Sequence, residues 1–268
     1  YRQLNTNILQ IENEYYSSIR PKRTINPGER PTTALQERGV EYIEIRALDL
    51  NPFEPVGINQ QEIRFLDLFA TYCLLRESPP LEKCDLHASK ENLRKVVYDG
   101  RNTATQLCNW GKSVSLKDWA TEKLEQMQPI AELFDRAHGG TNYAEALARR
   151  QEKVENPDDT QAARIVGTLE RRNQGFLQFA MDQALAHRDR FLSRQRCDDT
   201  NQRLEALAAD SLAEQAAGEA ADQQSFEDYL ADYFRDCRPL PSQIQPLTCA
   251  ARLNVTLHCD TFRCIAHR

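Results

Sequence analysis

Near the start of the chain, apolar and polar positions alternate with period two, and beyond residue 59 the period becomes helical. Residues 5–16 place Leu9, Ile11 and Tyr15 on one side and Gln10, Glu12, Glu14 and Tyr16 on the other, as in an extended strand. Residues 40–48 repeat the pattern: Ile43 and Ile45 share one face, while Tyr42, Glu44 and Arg46 share the opposite one. Between these stretches, Ile19-Arg20-Pro21-Lys22-Arg23 and Asn26-Pro27-Gly28-Glu29 read as a loop, because Pro and Gly interrupt both helix and ladder. The turn-rich segment 51–57 closes this β portion.

From Gln61 to Leu75, Ile63, Leu66, Phe69 and Cys73 recur at helical spacing, joined by Phe65, Leu68 and Tyr72, with Arg64, Asp67 and Thr71 opposite. Pro79-Pro80 stops that helix. A short helix ends near Gly100, and Ser115 caps a longer one from Leu116 to about Ala137, closed by Gly139-Gly140. Residues 141–154 and 159–194 continue in the same style. The Ala-rich stretch 203–234 reads as a long charged surface helix or a pair. The expected fold class is α+β: a small antiparallel sheet portion over residues 1–58, then a mostly helical region over 59–237.

Composition narrows the function. The 268 residues are 40% hydrophobic and 28% charged, enough for a core under a wet surface, and no apolar run is long enough to span a membrane. A formal net charge of -6 argues against general binding to nucleic acid or an anionic membrane. The cysteines show no CxxC pair, and Cys259, Cys264, His258 and His267 fit no common zinc spacing, so reduced cytosolic thiols are the default. Residues 238–268 carry four arginines against the single acid Asp260, without periodicity, and read as a foreign, unfolded or frame-shifted tail. The chain begins at Tyr1 within a strand-like pattern, which suggests a piece of something longer.

The chemistry-bearing feature is the polar face of the two strands. Unpaired carboxylates are costly to bury, so Glu12, Glu14 and Glu44 need cations or a metal, and hard oxygen donors suit Mg²⁺. Arg46, two residues from Glu44, fits charge neutralisation on a phosphoryl group, and the Arg20-Lys22-Arg23 loop adds positive charge for phosphate oxygens. The same alternation also suits a solvated face of cross-strand ion pairs, and Tyr16 and Tyr42 suit packing as well as ligand contact. His138 reads as a helix C-terminal cation, and Trp110 and Trp119 as core or interface residues. The residues alone permit phosphoryl transfer without proving it.

Leu9-Gln10-Ile11-Glu12-Asn13-Glu14, Ile19-Arg20-Pro21-Lys22-Arg23, the run Glu41 to Phe53, and Arg64-Phe65-Leu66-Asp67-Leu68-Phe69 follow one another in order. In these blocks the sequence resembles the C-terminal half of the proteobacterial glutamate–cysteine ligases. The resemblance is specific over residues 1–75 and looser to about Asp236. It implies a part of a glutamine-synthetase-like catalytic sheet and an ATP-dependent ligation of glutamate to cysteine through a γ-glutamyl phosphate, the first step of glutathione synthesis. It further implies Glu44 as a Mg²⁺ ligand (Mn²⁺ as an alternative ion) and Arg46 as a contact to the transferring phosphoryl group. Tyr16 is implied as a contact to cysteine, Arg20 and Lys22 as nucleotide or phosphate contacts, and Glu12 and Glu14 as metal neighbours. Glutamate, cysteine and ATP are the expected small-molecule partners, with no nucleic acid and no membrane. The expected setting is the cytoplasm, as a monomer when full length. The family's preceding stretch is absent from this sequence, so the chain alone is expected to be inactive. A non-catalytic helical interaction protein, or a carboxylate–amine ligase with another amine, remain the alternatives.

Overall fold

The computed structural model describes residues 3–4, 6–194 and 197–235. A 3-10 turn at Glu12–Glu14 is followed by strand β1 (Ile19–Lys22), helix α1 (Pro31–Arg38) and strand β2 (Tyr42–Ile45). Helices α2 (Gln60–Leu75) and α3 (Lys83–Asp99) lead to a hairpin of β3 (Gln106–Asn109) and β4 (Lys112–Ser115). Then come α4 (Leu116–His138), α5 (Asn142–Glu155), a 3-10 turn at Pro157–Asp159, α6 (Gln161–Arg172), α7 (Phe176–Leu192), α8 (Asp198–Ala221) and α9 (Phe226–Arg235). The expected class therefore holds: mostly helix, with small antiparallel sheets. Among the described residues, no helix is long and apolar enough to cross a membrane.

Three local readings are corrected. The described part of the stretch read as a first strand, residues 6–16, is not a strand, because Glu12 is drawn away to the start of α1. Its carboxylate accepts from Thr32 N at 2.8 Å and Thr32 Oγ1 at 2.6 Å, and meets Arg30 Nη2 at 2.7 Å. A carboxylate there satisfies amide groups that the first helical turn leaves unbonded and complements the positive end of the helix dipole. The segment read as a loop around Pro21 is instead strand β1, paired antiparallel with β2 in the register Ile19↔Ile45, Arg20↔Glu44, Pro21↔Ile43 and Lys22↔Tyr42. Arg46 N donates to Ser18 O at 2.7 Å, so alternation of the ladder leaves Pro21 at a non-bonded pair, with its missing N–H toward the open edge. The third correction is α1 itself, which runs from Pro31 at its first turn to Gly39, whose φ of 72° ends it.

The helical elements form for the reasons their sequence shows. Asn59 and Glu62 make a reciprocal capping box at the start of α2, and Ser115 caps α4 through Asp118 N. Trp110 and Gly111, at φ of 50° and 76°, form the tight turn between β3 and β4, which the sequence reading did not separate from its surroundings. One core unites α2, α4 and α5, with Phe65, Leu68, Phe69, Leu124, Met127, Leu147 and Val154 buried together. Ile45 and Ala47 pack onto it from the end of β2. A smaller cluster of Val96, Leu107 and Leu116 joins α3 to the second hairpin. By contrast, α8 buries nothing, matching the surface helix expected there. The zinc reading of His258, Cys259, Cys264 and His267, and the tail 238–268, lie outside the described residues.

Candidate functional site

The β1–β2 register sorts side chains by chemistry. Ile19, Pro21, Ile43 and Ile45 take one face, and Ile45 seats that face on the helical core. Arg20, Lys22, Tyr42 and Glu44 take the other, and Arg46 continues the same face just beyond β2. A one-residue slip would reverse both faces, so burial of Ile45 fixes which way the charged cluster points.

Glu44 is at the centre of that cluster. Its Oε1 accepts from Arg46 Nε at 2.6 Å, and its Oε2 faces Lys22 Nζ at 3.2 Å. Oε2 is shielded from solvent yet has no aligned hydrogen bond. The Arg46 hydrogen bond is the largest influence on the Glu44 pKa; desolvation opposes it, the Lys22 contact assists it, and the net shift is downward, so the carboxylate stays charged. Tyr16 adds an aromatic face: the Arg46 guanidinium lies 4.6 Å from its ring centroid and the Arg20 guanidinium 5.4 Å. Its side chain is otherwise exposed.

Glu44, Arg46, Arg20, Lys22 and Tyr16 are thus brought together. Glu12 and Glu14 are engaged elsewhere: Glu12 at the start of α1, as above, and Glu14 through Oε2, which accepts from Gln10 N at 2.6 Å. Among the described residues, no three His, Cys, Asp or Glu side chains form a set able to hold a metal ion. Glu44 nonetheless offers one hard oxygen donor without a hydrogen bond, which suits an ion such as Mg²⁺ that takes few carboxylates and completes its shell with water and phosphate.

The segment after β2 ties this cluster to the helices. Pro52 O meets His187 Nε2 of α7 at 2.9 Å, and Leu50 O accepts from Gln161 Nε2 at 2.7 Å. Phe53 lies 5.8 Å from Phe179, a fully buried ring of α7, and the Arg164 guanidinium sits 4.3 Å from the Phe53 ring centroid. The sequence reading gave Arg164 and His187 no role. Their signal is weak, because their partners lie more than a hundred residues away.

The short ribbon thus seats an apolar face on a helical body and carries a carboxylate–guanidinium cluster on its other face, a set of charged donors chemically able to meet an anion. The comparisons with known proteins specify it further. Residues 1–96 match the family model described as glutamate-cysteine ligase. A glutamate–cysteine ligase of Alcanivorax borkumensis is 87% identical over 236 residues, covering 88% of this chain and 45% of that protein. One from Azotobacter vinelandii is 48% identical over 231 residues, covering 86% of this chain and 44% of that protein. The crystal structure of glutamate–cysteine ligase from Francisella tularensis, in complex with AMP, superposes with a TM-score of 0.79 at 34% identity, covering 87% of this chain and 46% of that one. Over most of its length, then, this chain is similar in sequence and fold to a stretch of the glutamate–cysteine ligases. It spans somewhat under half the length of the curated relatives it matches.

Proposed function

We propose that the β1–β2 face forms one wall of a cytoplasmic ATP-dependent ligase site that joins glutamate to cysteine as the first step of glutathione synthesis. In this reaction a γ-carboxylate oxygen of glutamate attacks the γ-phosphorus of ATP, ADP leaves, and a γ-glutamyl phosphate forms. The cysteine amine then attacks the acyl carbon, inorganic phosphate departs, and the nitrogen loses a proton. Arg46 and Arg20 supply planar, permanently charged donors for phosphoryl oxygens, and Lys22 supplies a compact positive charge beside them.

Tyr16 presents its ring to both guanidinium groups and so helps to position them before substrate arrives. We place the cysteine substrate against its exposed phenol. Glu44 would hold Mg²⁺ or Mn²⁺ through its oxygen that lacks a hydrogen bond, and the ion when bound would offset the charge of the triphosphate. Glu12 and Glu14 reach such an ion only by leaving their present partners.

The observation that carries this reading is Glu44 set between Lys22 and Arg46 on one strand face, with Tyr16 stacked on Arg46. The test is a chimera in which this chain replaces the matching stretch of the Alcanivorax borkumensis relative. Phosphate release dependent on ATP, glutamate and cysteine is measured with Glu44→Gln and Arg46→Gln introduced separately. A loss of about 100-fold or more in kcat for each, the scale of removing a transition-state charge partner, is expected. Turnover within twofold of the unsubstituted chimera would refute the assignment.

A further inference from the structure

Helix α5 buries Ala146, Leu147, Arg150 and Val154, a stripe at helical spacing in which one member is a cation. Arg150 is only 4% exposed, and its guanidinium lies 4.9 Å from the Phe65 ring centroid. Among the described residues, that guanidinium has neither a hydrogen-bond partner nor an ion pair. Glu62 is near enough to attract it, but the carboxylate oxygens of Glu62 already accept from Asn51 Nδ2 at 3.0 Å and Asn59 N at 2.9 Å. A buried guanidinium without a carboxylate is an arrangement that folding alone disfavours.

Arg150 does not stand alone. It lines a cavity of about 200 Å³ together with Arg149, Lys153 and Arg164, against the carboxylates of Glu54 and Glu62. The lining therefore carries a surplus of positive charge. Burial, and then the neighbouring Arg150, push the Lys153 ammonium down to about 8. No hydrogen bond or ion pair engages Lys153 among the described residues. Arg164 stacks on Phe53, and Arg149 pairs with Glu152. Arg150 and Lys153 thus line one concave space with no carboxylate in direct contact among the described residues, Glu62 attracting both only from a distance.

We propose that this cavity is a binding site for a small oxyanion, a phosphoryl or carboxylate group held by Arg150 and Lys153 beside Arg164. A guanidinium fork matches either group with two parallel hydrogen bonds, and an ammonium completes the charge. None of the β1–β2 cluster residues lines the cavity, so the inference stands whether or not the ligase reading does.

The test is titration calorimetry of the purified chain at pH 7 and constant ionic strength, with inorganic phosphate and with glutarate as separate probes. One saturable equivalent of at least one probe is expected, weakened tenfold or more by Lys153→Gln and by Arg164→Gln. Phosphate binding assigns a phosphoryl ligand, and glutarate binding alone assigns a carboxylate; either supports the site. Arg150→Met is the sharpest variant, but it sits in the core and can fail to fold, so the two less buried positions decide the matter. A second readout is the Lys153 titration followed by NMR after reductive ¹³C-methylation. Its midpoint should rise from about 8 toward 10.5 when the probe is bound. Absence of saturable binding by both probes, or binding that Lys153→Gln leaves unchanged while the Lys153 midpoint stays fixed, would overturn the proposal.

Discussion

Around the β1–β2 ribbon, charges meet their opposites at the surface. Glu44 is shared by Lys22 and Arg46, Glu29 is forked by Arg38 at 2.6 and 2.7 Å, and Glu12 meets Arg30. In the α2–α4–α5 bundle the reverse holds: stability comes from apolar burial, while Arg150 and Lys153 have no ion-pair partner among the described residues. Ion pairs that solvent still reaches, such as Glu44 with Lys22 and Arg46, contribute little to folding, so under the proposed function they can be exchanged for substrate charges at small cost. The apolar core of the bundle cannot trade in that way, since its buried side chains are fixed by packing.

The largest expected effect probes the bundle. Phe65 is fully buried, contacts the Phe69 ring, and underlies the Arg150 guanidinium. Phe65→Ala should lower unfolding free energy by about 3–5 kcal/mol, read from denaturant or thermal unfolding. A loss under about 1 kcal/mol would show that the bundle, too, tolerates exchange. Next comes the ribbon. Glu44→Gln should cost about 100-fold or more in ligase turnover in the chimera, yet leave the unfolding midpoint nearly unchanged. A large stability loss with little change in turnover would reverse the contrast between the regions.

The third prediction concerns pH. Lys153 has a folded pKa near 8, below the ordinary 10.5 of a lysine, so the charged form is disfavoured in the fold. Between about pH 8 and 10.5 the unfolded chain holds more protons than the folded one, and stability therefore rises with pH across that window. Below pH 8 the cost is fully present. Lys153→Met should remove this rise and raise stability at pH 7; an unchanged slope from pH 8 to 10.5 would show the ammonium to be solvated.

These contrasts explain what the sequence made visible. Alternation at Ile43, Glu44, Ile45 and Arg46 put the key pair on one face, and the Asn59–Glu62 and Ser115 caps marked α2 and α4, because each of these signals is local. Strand β1 escaped notice because Pro21 looks like a ladder breaker, which it is not when its nitrogen faces an open edge. Helix α1 buries only Ala34, so it has no apolar stripe to detect, and its Pro31 and Gly39 were the available signals. Residues 5–16 had strand periodicity, but Glu12 finds partners at Arg30 and Thr32, a tertiary contact that no local pattern encodes. Arg150 could have been noticed as the polar intruder in the spacing of Ala146, Leu147 and Val154.

The smallest expected effect concerns the bidentate ion pair beside the ribbon, between Glu29 of the connecting loop and Arg38 at the end of α1. Both oxygens of Glu29 accept from the Arg38 guanidinium, and Asn26 N adds a third donor at 2.8 Å. The Arg38 hydrogen bonds first, and then the Asn26 amide, hold the Glu29 carboxyl at about 2. A depressed carboxylate contributes stability that is present above its ordinary pKa near 4.5 and is lost as pH falls toward 2. Because the Arg38 side chain remains in reach of solvent, the thermodynamic effect is expected to be slight even though the titration is shifted. NMR of the Glu29 side-chain carboxyl should show a midpoint near 2 that Arg38→Gln returns toward 4.5, with little change in unfolding at pH 7. If instead Arg38→Gln destabilised the fold as much as Phe65→Ala, the ribbon would be held by its charges, and its ion pairs could not be the exchangeable contacts on which a phosphoryl site at Glu44 and Arg46 depends.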